Sequence, residues 1–171
     1  QIAVAGAELS PPALLAGSAG LAKEAAALLT PPSAQLPPES PRLQCRSVVV
    51  FSGSTNPVTL EQVRPLTGMA QTIIVEVDIS RPARPSEWIG LASEARGVVL
   101  TGGDTALLVL WALGARGIRL EREVLTGIPF GRLVGGACTD LPVVTKAGGF
   151  GPPEALVRAV RFLSTLGEEA S

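Results

Sequence analysis

The chain has 171 residues, 46% of them hydrophobic, with 14 basic and 15 acidic side chains and a net charge of −1. That supplies one ordinary core and leaves no charge excess to attract nucleic acid or an anionic membrane. The complete absence of His excludes histidine zinc sites, Ser-His-Asp triads and Cys-His pairs, while 4% aromatics and no Tyr argue against base-stacking platforms.

Gln1 to Ala22 holds no Lys or Arg and does not read as a secretory leader. Gly17-Ser18-Ala19-Gly20 then opens a helical stretch, Leu21 to Leu29, rich in Ala and Leu. Thr30 to Gln44 contains five prolines and little apolar content, the composition of an extended connection. The sequence therefore divides into residues 1–29, the end of a preceding domain; 30–44, a linker; and 45–171, a regular domain.

From Ser47 the pattern alternates. Ser47 to Phe51 is a β-branched strand that meets Ser52-Gly53-Ser54, and Asn56 with Pro57 fits the N-cap and first position of a helix to about Leu66. Thr72 to Ile79 is the next strand, Ser86 caps a short helix through Ala95, and Gly97 to Leu100 is a strand running into Thr101-Gly102-Gly103-Asp104-Thr105. The helix from Ala106 to about Leu113 is apolar nearly all round and predicted to be buried. It is far short of the ~20 residues of a membrane span. Ile118–Leu120, Val124–Leu125, Gly131–Val134 and Leu141–Thr145 are shorter strands, with Glu121-Arg122-Glu123 an exposed charge run between the first two. The last strand ends in Lys146-Ala147-Gly148-Gly149-Phe150-Gly151, and Pro152-Pro153 starts a helix with Leu156, Val160, Leu163 and Leu166 on one stripe. The expected fold is α/β: a Rossmann-like layered domain, its sheet largely parallel, with helices on both faces. Cys45 and Cys138 have neither metal-ligand spacing nor disulfide density and read as reduced cytoplasmic thiols.

Three segments share one design, an apolar strand, a glycine-containing turn and a helix start. In a parallel sheet they gather at the carboxyl edge, where glycines admit a ligand to the backbone and helix N-termini favour anions. A polyphosphate site follows from three such turns, although one alone would serve only the backbone. Lys146, one of two lysines against twelve arginines, is a point charge suited to phosphate. Asp104 reads either as a helix-start acid or as a group orienting magnesium or a ribose hydroxyl, and Ser54 and Thr105 either as phosphate ligands or as turn residues. Neither Walker nor dinucleotide spacing is present.

The ordered set resembles the four-carbon acid sugar kinase family, specifically its C-terminal nucleotide-binding domain. The likeness rests on Ser52-Gly53-Ser54-Thr55-Asn56-Pro57-Val58-Thr59, on Thr101-Gly102-Gly103-Asp104-Thr105-Ala106 and on Leu141-Pro142-Val143-Val144-Thr145-Lys146-Ala147-Gly148-Gly149-Phe150-Gly151. Gly127-Ile128-Pro129-Phe130-Gly131 and Ala16-Gly17-Ser18-Ala19-Gly20-Leu21-Ala22 extend it over nearly the whole chain. The resemblance implies a cytoplasmic bacterial kinase that uses ATP and Mg2+ to phosphorylate erythronate, threonate or 3-oxo derivatives. By that resemblance Ser52, Gly53 and Ser54 are the first nucleotide contact, Gly102, Gly103, Asp104 and Thr105 the phosphate-side loop, and Gly148, Gly149 and Gly151 the last glycine contact. The sugar acid and the catalytic base belong to the family's N-terminal domain, so no catalytic or metal-ligating side chain is assigned here. A homodimer is compatible with this reading. The chain alone is expected to bind ATP without turnover, and the rival reading is a non-catalytic nucleotide-binding or assembly module. Gly102-Gly103-Asp104-Thr105 is also similar to the phosphate loops of NAD kinases and phosphofructokinases, but lacks their fourth-position glycine.

Overall fold

The computed structural model describes residues 19–29, 47–81 and 83–166. Contacts divide the chain into Gln1–Pro38 and Glu39–Ser171. In the first unit the described element is helix α1, Ala19–Leu29. The Pro-rich stretch 30–44, and Cys45 just after it, lie outside the described residues.

The second unit is a six-stranded sheet. Its strands are β1 (Val48–Ser52), β2 (Thr72–Glu76), β3 (Gly97–Thr101), β4 (Gly117–Leu125), β5 (Ile128–Val134) and β6 (Pro142–Lys146), in the order β2-β1-β3-β6-β5-β4. The pairings β1–β2, β1–β3 and β3–β6 are parallel, and β6–β5 and β5–β4 antiparallel. β1 and β3 are buried at every position, the mark of parallel strands covered on both faces.

Alternation along these strands builds two cores. Val49, Phe51, Val98, Leu100 and Val143 pack with Trp88 and Ala92 of α3 (Pro85–Ser93) and with Val109 and Ala112 of α4 (Gly103–Ala112). Phe51 meets Trp88 edge to face, ring centroids 5.8 Å apart. On the other face Val48, Val50, Val99 and Val144 pack with Leu66 and with Leu156, Val160 and Leu163 of α5 (Ala155–Thr165). Helices thus cover both faces, as the strand-helix alternation predicts.

Several expectations change: β2 ends at Glu76 rather than Ile79, and α5 begins at Ala155, beyond Pro152-Pro153. The helix after β1, α2 (Pro57–Val63), stops short of Leu66 and passes into a 3-10 turn, Arg64–Gly68, where Pro65 cannot continue an α-helical ladder. Ser86 is not a cap: α3 starts at Pro85 with Arg84 before it. Ile118–Leu120 and Val124–Leu125 are parts of one nine-residue strand, β4, with register shifts between Leu120 and Arg122 and between Glu123 and Leu125, so Glu121-Arg122-Glu123 lies within a sheet edge. Helix α4 is not enclosed, since Leu107 and Trp111 are each 71% exposed, while Thr105, Val109 and Ala112 are buried and Ala106, Leu108 and Leu110 pack partly against the core. Among the described residues no helix is long and apolar enough to cross a membrane.

Candidate functional site

β1 leads outward to β2 on one flank, while β3 lies on the other, so strand order reverses between β1 and β3. In open α/β sheets the crevice beyond the carboxyl ends at such a point is where ligands bind. Here that crevice is a cleft of about 540 Å³. The turn after β1 contributes Gly53, Ser54, Thr55 and Asn56, the turn after β3 contributes Gly102, Gly103, Asp104 and Thr105, and the turn after β6 contributes Gly148; Pro57 and Ile79 complete its lining.

The small residues have separate reasons. A Cβ on Gly53 would run into the Val77 carbonyl and lie 2.7 Å from Thr105 Oγ1, so this glycine lets the first turn press against the neighbouring loop and α4. Gly102 holds φ at +98°, a conformation L side chains rarely adopt. A Cβ on Gly103 would meet nothing within 4 Å, so the side chain is absent where the backbone faces open space. The β6 turn packs on the β1 turn: a Cβ on Gly148 would sit 3.1 Å from Ser54 Oγ, and one on Gly149 2.9 Å from Asn56 Nδ2.

Backbone donors supply the polarity. The first bond of α4 runs from Ala106 N to Gly102 O at 2.9 Å, so the N–H groups of Gly103, Asp104 and Thr105 precede the helical ladder, and Gly102 at the N-cap offers no side chain. Thr105 is 2% exposed and lines the cleft. Asn56 is the N-cap of α2, as predicted; its Oδ1 accepts from Val58 N at 2.9 Å. Among the described residues no basic side chain lines the cleft, so an anion there would be held by N–H groups and helix dipoles. That donor set fits phosphate oxygens. For a cation, Asp104 is the single carboxylate among the lining residues, and no cluster of three or more His, Cys, Asp or Glu occurs among the described residues. The set suits magnesium arriving on phosphates with at most one protein carboxylate, and does not form an all-protein cage.

Of the eleven residues singled out from the sequence, the cleft gathers Gly53, Ser54, Gly102, Gly103, Asp104, Thr105 and Gly148. Ser52, Lys146, Gly149 and Gly151 lie behind or beside it. Lys146 is 3% exposed, and its Nζ donates to the carbonyls of Ala147, Gly148 and Phe150 at 2.8, 2.7 and 3.0 Å. An ammonium has three hydrogens, so in this arrangement none is left for a phosphate. Burial pushes the Lys146 ammonium below the ordinary lysine value, while the three carbonyls favour its charged form. Sequence reasoning passed over Thr59 and Gln62, both fully buried on α2. The two hydrogens of the Gln62 amide Nε2 are shared among the carbonyls of Phe150, Gly151 and Pro152, its Oε1 has no partner among the described residues, and the Thr59 hydroxyl donates to the carbonyl of Gly148. Their i, i+3 spacing on one helix face was the available signal.

A family described as the nucleotide-binding C-terminal domain matches residues 86–156. The chain is 58% identical over 73 residues to a D-threonate kinase of Bordetella bronchiseptica, an alignment covering 43% of this chain and 18% of that one. It is 44% identical over 80 residues to a D-threonate kinase of Salmonella typhimurium, covering 46% and 19%. A D-erythronate kinase of Heliobacterium modesticaldum is 38% identical over 72 residues, covering 42% and 16%. Each alignment thus spans about a fifth or less of the relative. Among solved structures, a domain of unknown function from Bordetella bronchiseptica, crystallised with citrate as a domain-swapped dimer, matches with a TM-score of 0.58 at 32% identity. That match covers 69% of this chain and 39% of the other.

Proposed function

We propose that this chain carries the C-terminal nucleotide-binding domain of a four-carbon acid sugar kinase and that its β1–β3 cleft binds ATP with Mg2+. The complete protein then phosphorylates a four-carbon sugar acid of the threonate or erythronate type. The observation that carries the reading is the convergence of three glycine turns at the switch point of the sheet, on a cleft whose donors are backbone N–H groups. The names of the relatives support the acceptor class.

In this reading Gly102 and Gly103 bring the backbone against the phosphates, and the N–H groups of Gly103, Asp104 and Thr105 neutralise their charge. The Ser54 and Thr105 hydroxyls are further donors, and Gly53, Gly148 and Gly149 keep the adjoining turns close. Ser52 and Gly151 shape the turns from behind. Asp104 orients the magnesium that accompanies the nucleotide or its waters. Phosphoryl transfer rests on alignment and charge neutralisation, so the cleft supplies the nucleotide half of the reaction. In this reading the acceptor hydroxyl and its base come from another domain of the complete protein. The cytoplasm is the setting this chemistry implies.

Calorimetric titration of the chain with Mg-ATP, with NAD and a four-carbon sugar acid as controls, tests the proposal. Saturation at ~100 times the dissociation constant adds ~2.7 kcal/mol, roughly 5 to 10 °C in Tm for a domain of this size. Binding of ATP without turnover is expected. Equal affinity for NAD would overturn the assignment, and phosphoryl transfer by the chain alone would remove the division of labour.

A further inference from the structure

The six buried polar side chains among the described residues are Ser52, Thr59, Gln62, Thr101, Thr105 and Lys146. All lie at the carboxyl ends of β1, β3 and β6 or on the helices that follow β1 and β3. The rest of the core is apolar. Buried polar groups are costly unless paired, so such a concentration marks a part of the fold whose shape is held by specific hydrogen bonds.

Three of the six, Lys146, Thr59 and Gln62, converge on the turn after β6, while Thr101 Oγ1 and Gln62 Oε1 have no hydrogen-bond partner among the described residues. Of the six carbonyls from Ala147 to Pro152, five are held from below. Lys146 takes those of Ala147, Gly148 and Phe150, Thr59 shares that of Gly148, and Gln62 shares its two amide hydrogens among those of Phe150, Gly151 and Pro152. In a trans peptide the C=O of one residue and the N–H of the next point in opposite directions. Drawing the Ala147 and Gly148 carbonyls toward the ammonium therefore turns the N–H groups of Gly148 and Gly149 to the opposite side, and Gly148 lines the cleft. The choice of lysine fits this geometry. The chain uses twelve arginines and two lysines, yet a planar guanidinium could not meet three carbonyls converging on one point.

We infer that Lys146 is the resident cation of the site, a positioning residue that shapes the glycine turn with Thr59 and Gln62 and never touches the bound ligand. The three side chains do for the turn what a carbonyl-bound monovalent ion would do, with the cation attached to the sheet. The inference rests on the proposed nucleotide cleft for its functional consequence, but its structural half stands without any ligand.

The test compares wild type, Lys146→Met, Lys146→Arg and the gentler Thr59→Val. Without nucleotide, amide exchange at Gly148, Gly149 and Gly151 is expected to rise at least about tenfold in both Lys146 variants and less in Thr59→Val, with β4 and β5 unchanged. With Mg-ATP, both Lys146 variants lose about tenfold or more in affinity, while the dependence of log Kd on log salt keeps the wild-type slope, because no direct charge contact has been removed. A salt slope that falls in Lys146→Met but is retained in Lys146→Arg would overturn the inference in favour of a direct phosphate contact. Unchanged exchange at the glycine amides would overturn it as well. If Lys146→Met does not fold, localised exchange in Thr59→Val decides the matter. Should the wild type bind no nucleotide, the cleft reading fails, while the exchange experiment still judges Lys146.

Discussion

β1, β3 and β6 end in Ser52, Thr101 and Lys146, all buried and all followed by glycine-containing turns, whereas β4 carries Arg119, Glu121, Arg122 and Glu123 along its length. The parallel strands are covered by helices on both faces, so the backbone can approach a ligand only at their carboxyl edge. The hairpin has another duty. Its β5 residues Ile128, Phe130 and Leu133 fill the cores, while the charges of β4 line an open edge that would otherwise invite pairing with a second sheet. Glycine serves both regions for different ends: Gly53 lets two loops of the cleft meet, and Gly131 lets β5 lie against the Arg119 carbonyl of β4.

The largest effects should come from those two positions. Valine at either collides with a backbone carbonyl, that of Val77 or that of Arg119, and at Gly131 its Cβ also lies 2.8 Å from Ile118 Cγ2. Each substitution should cost about 1–3 kcal/mol by overpacking, seen as a lowered Tm. Gly53→Val should also abolish the stabilisation by Mg-ATP, while Gly131→Val, titrated well below its melting point, should bind with the wild-type Kd. Equal loss of affinity in both would mean that the hairpin and the cleft are one unit.

The Arg132–Glu121 pair sharpens the same contrast from the hairpin side. Nε and Oε1 are 3.1 Å apart, with the side chains 11% and 10% exposed. Arg132→Met leaves a nearly buried carboxylate without this partner and should cost about 1–3 kcal/mol in chemical denaturation, with nucleotide affinity untouched. Gly103→Val reverses the pattern. Its Cβ meets open space, so stability should stay within about 0.5 kcal/mol of wild type while Mg-ATP affinity falls about tenfold or more in calorimetry.

The turns were legible in the sequence because a β-branched run broken by glycine and followed by a cap has few structural alternatives. Asn56, the ends of β1 and β3 to within one residue and the gathering of Gly53, Gly102, Gly103 and Gly148 all follow from local rules. What failed depended on direction and neighbours. Lys146 was chosen for its charge, but only the tertiary fold reveals that burial turns its ammonium to three carbonyls. Gln62 and Thr59 looked like ordinary polar helix residues, and their buried side appears only when α2 lies over the β6 turn. The charge run in β4 read as an exposed stretch between two short strands because edge strands keep charges for protection, and bulges break their alternation. Helix α4 was expected to be buried because its residues are apolar all round, yet a helix on an outer layer touches the sheet along one side only.

The smallest effect concerns the rim of the cleft on the β2 side. Asp78 accepts from the Ser80 hydroxyl at 2.6 Å and from Ser80 N at 3.0 Å, and pairs with Arg81 Nε at 2.9 Å, closing the turn that carries the cleft residue Ile79. The Ser80 hydroxyl and N–H, aided by Arg81, hold the Asp78 carboxyl below the ordinary value of 3.8. A carboxyl lowered in the folded state contributes stability above its unfolded pKa and loses it as pH falls through the lower folded value. The group lies at the surface, so the contribution is small and screened by salt. Asp78→Asn should therefore lower Tm slightly at neutral pH, and the gap to wild type should close as the pH drops below 3.8. Melting curves from neutral to acid pH measure this directly. A gap that stays constant with pH would mean that the turn is held by its backbone alone, and that the β2 rim, unlike the turn after β6, owes nothing to side-chain charge.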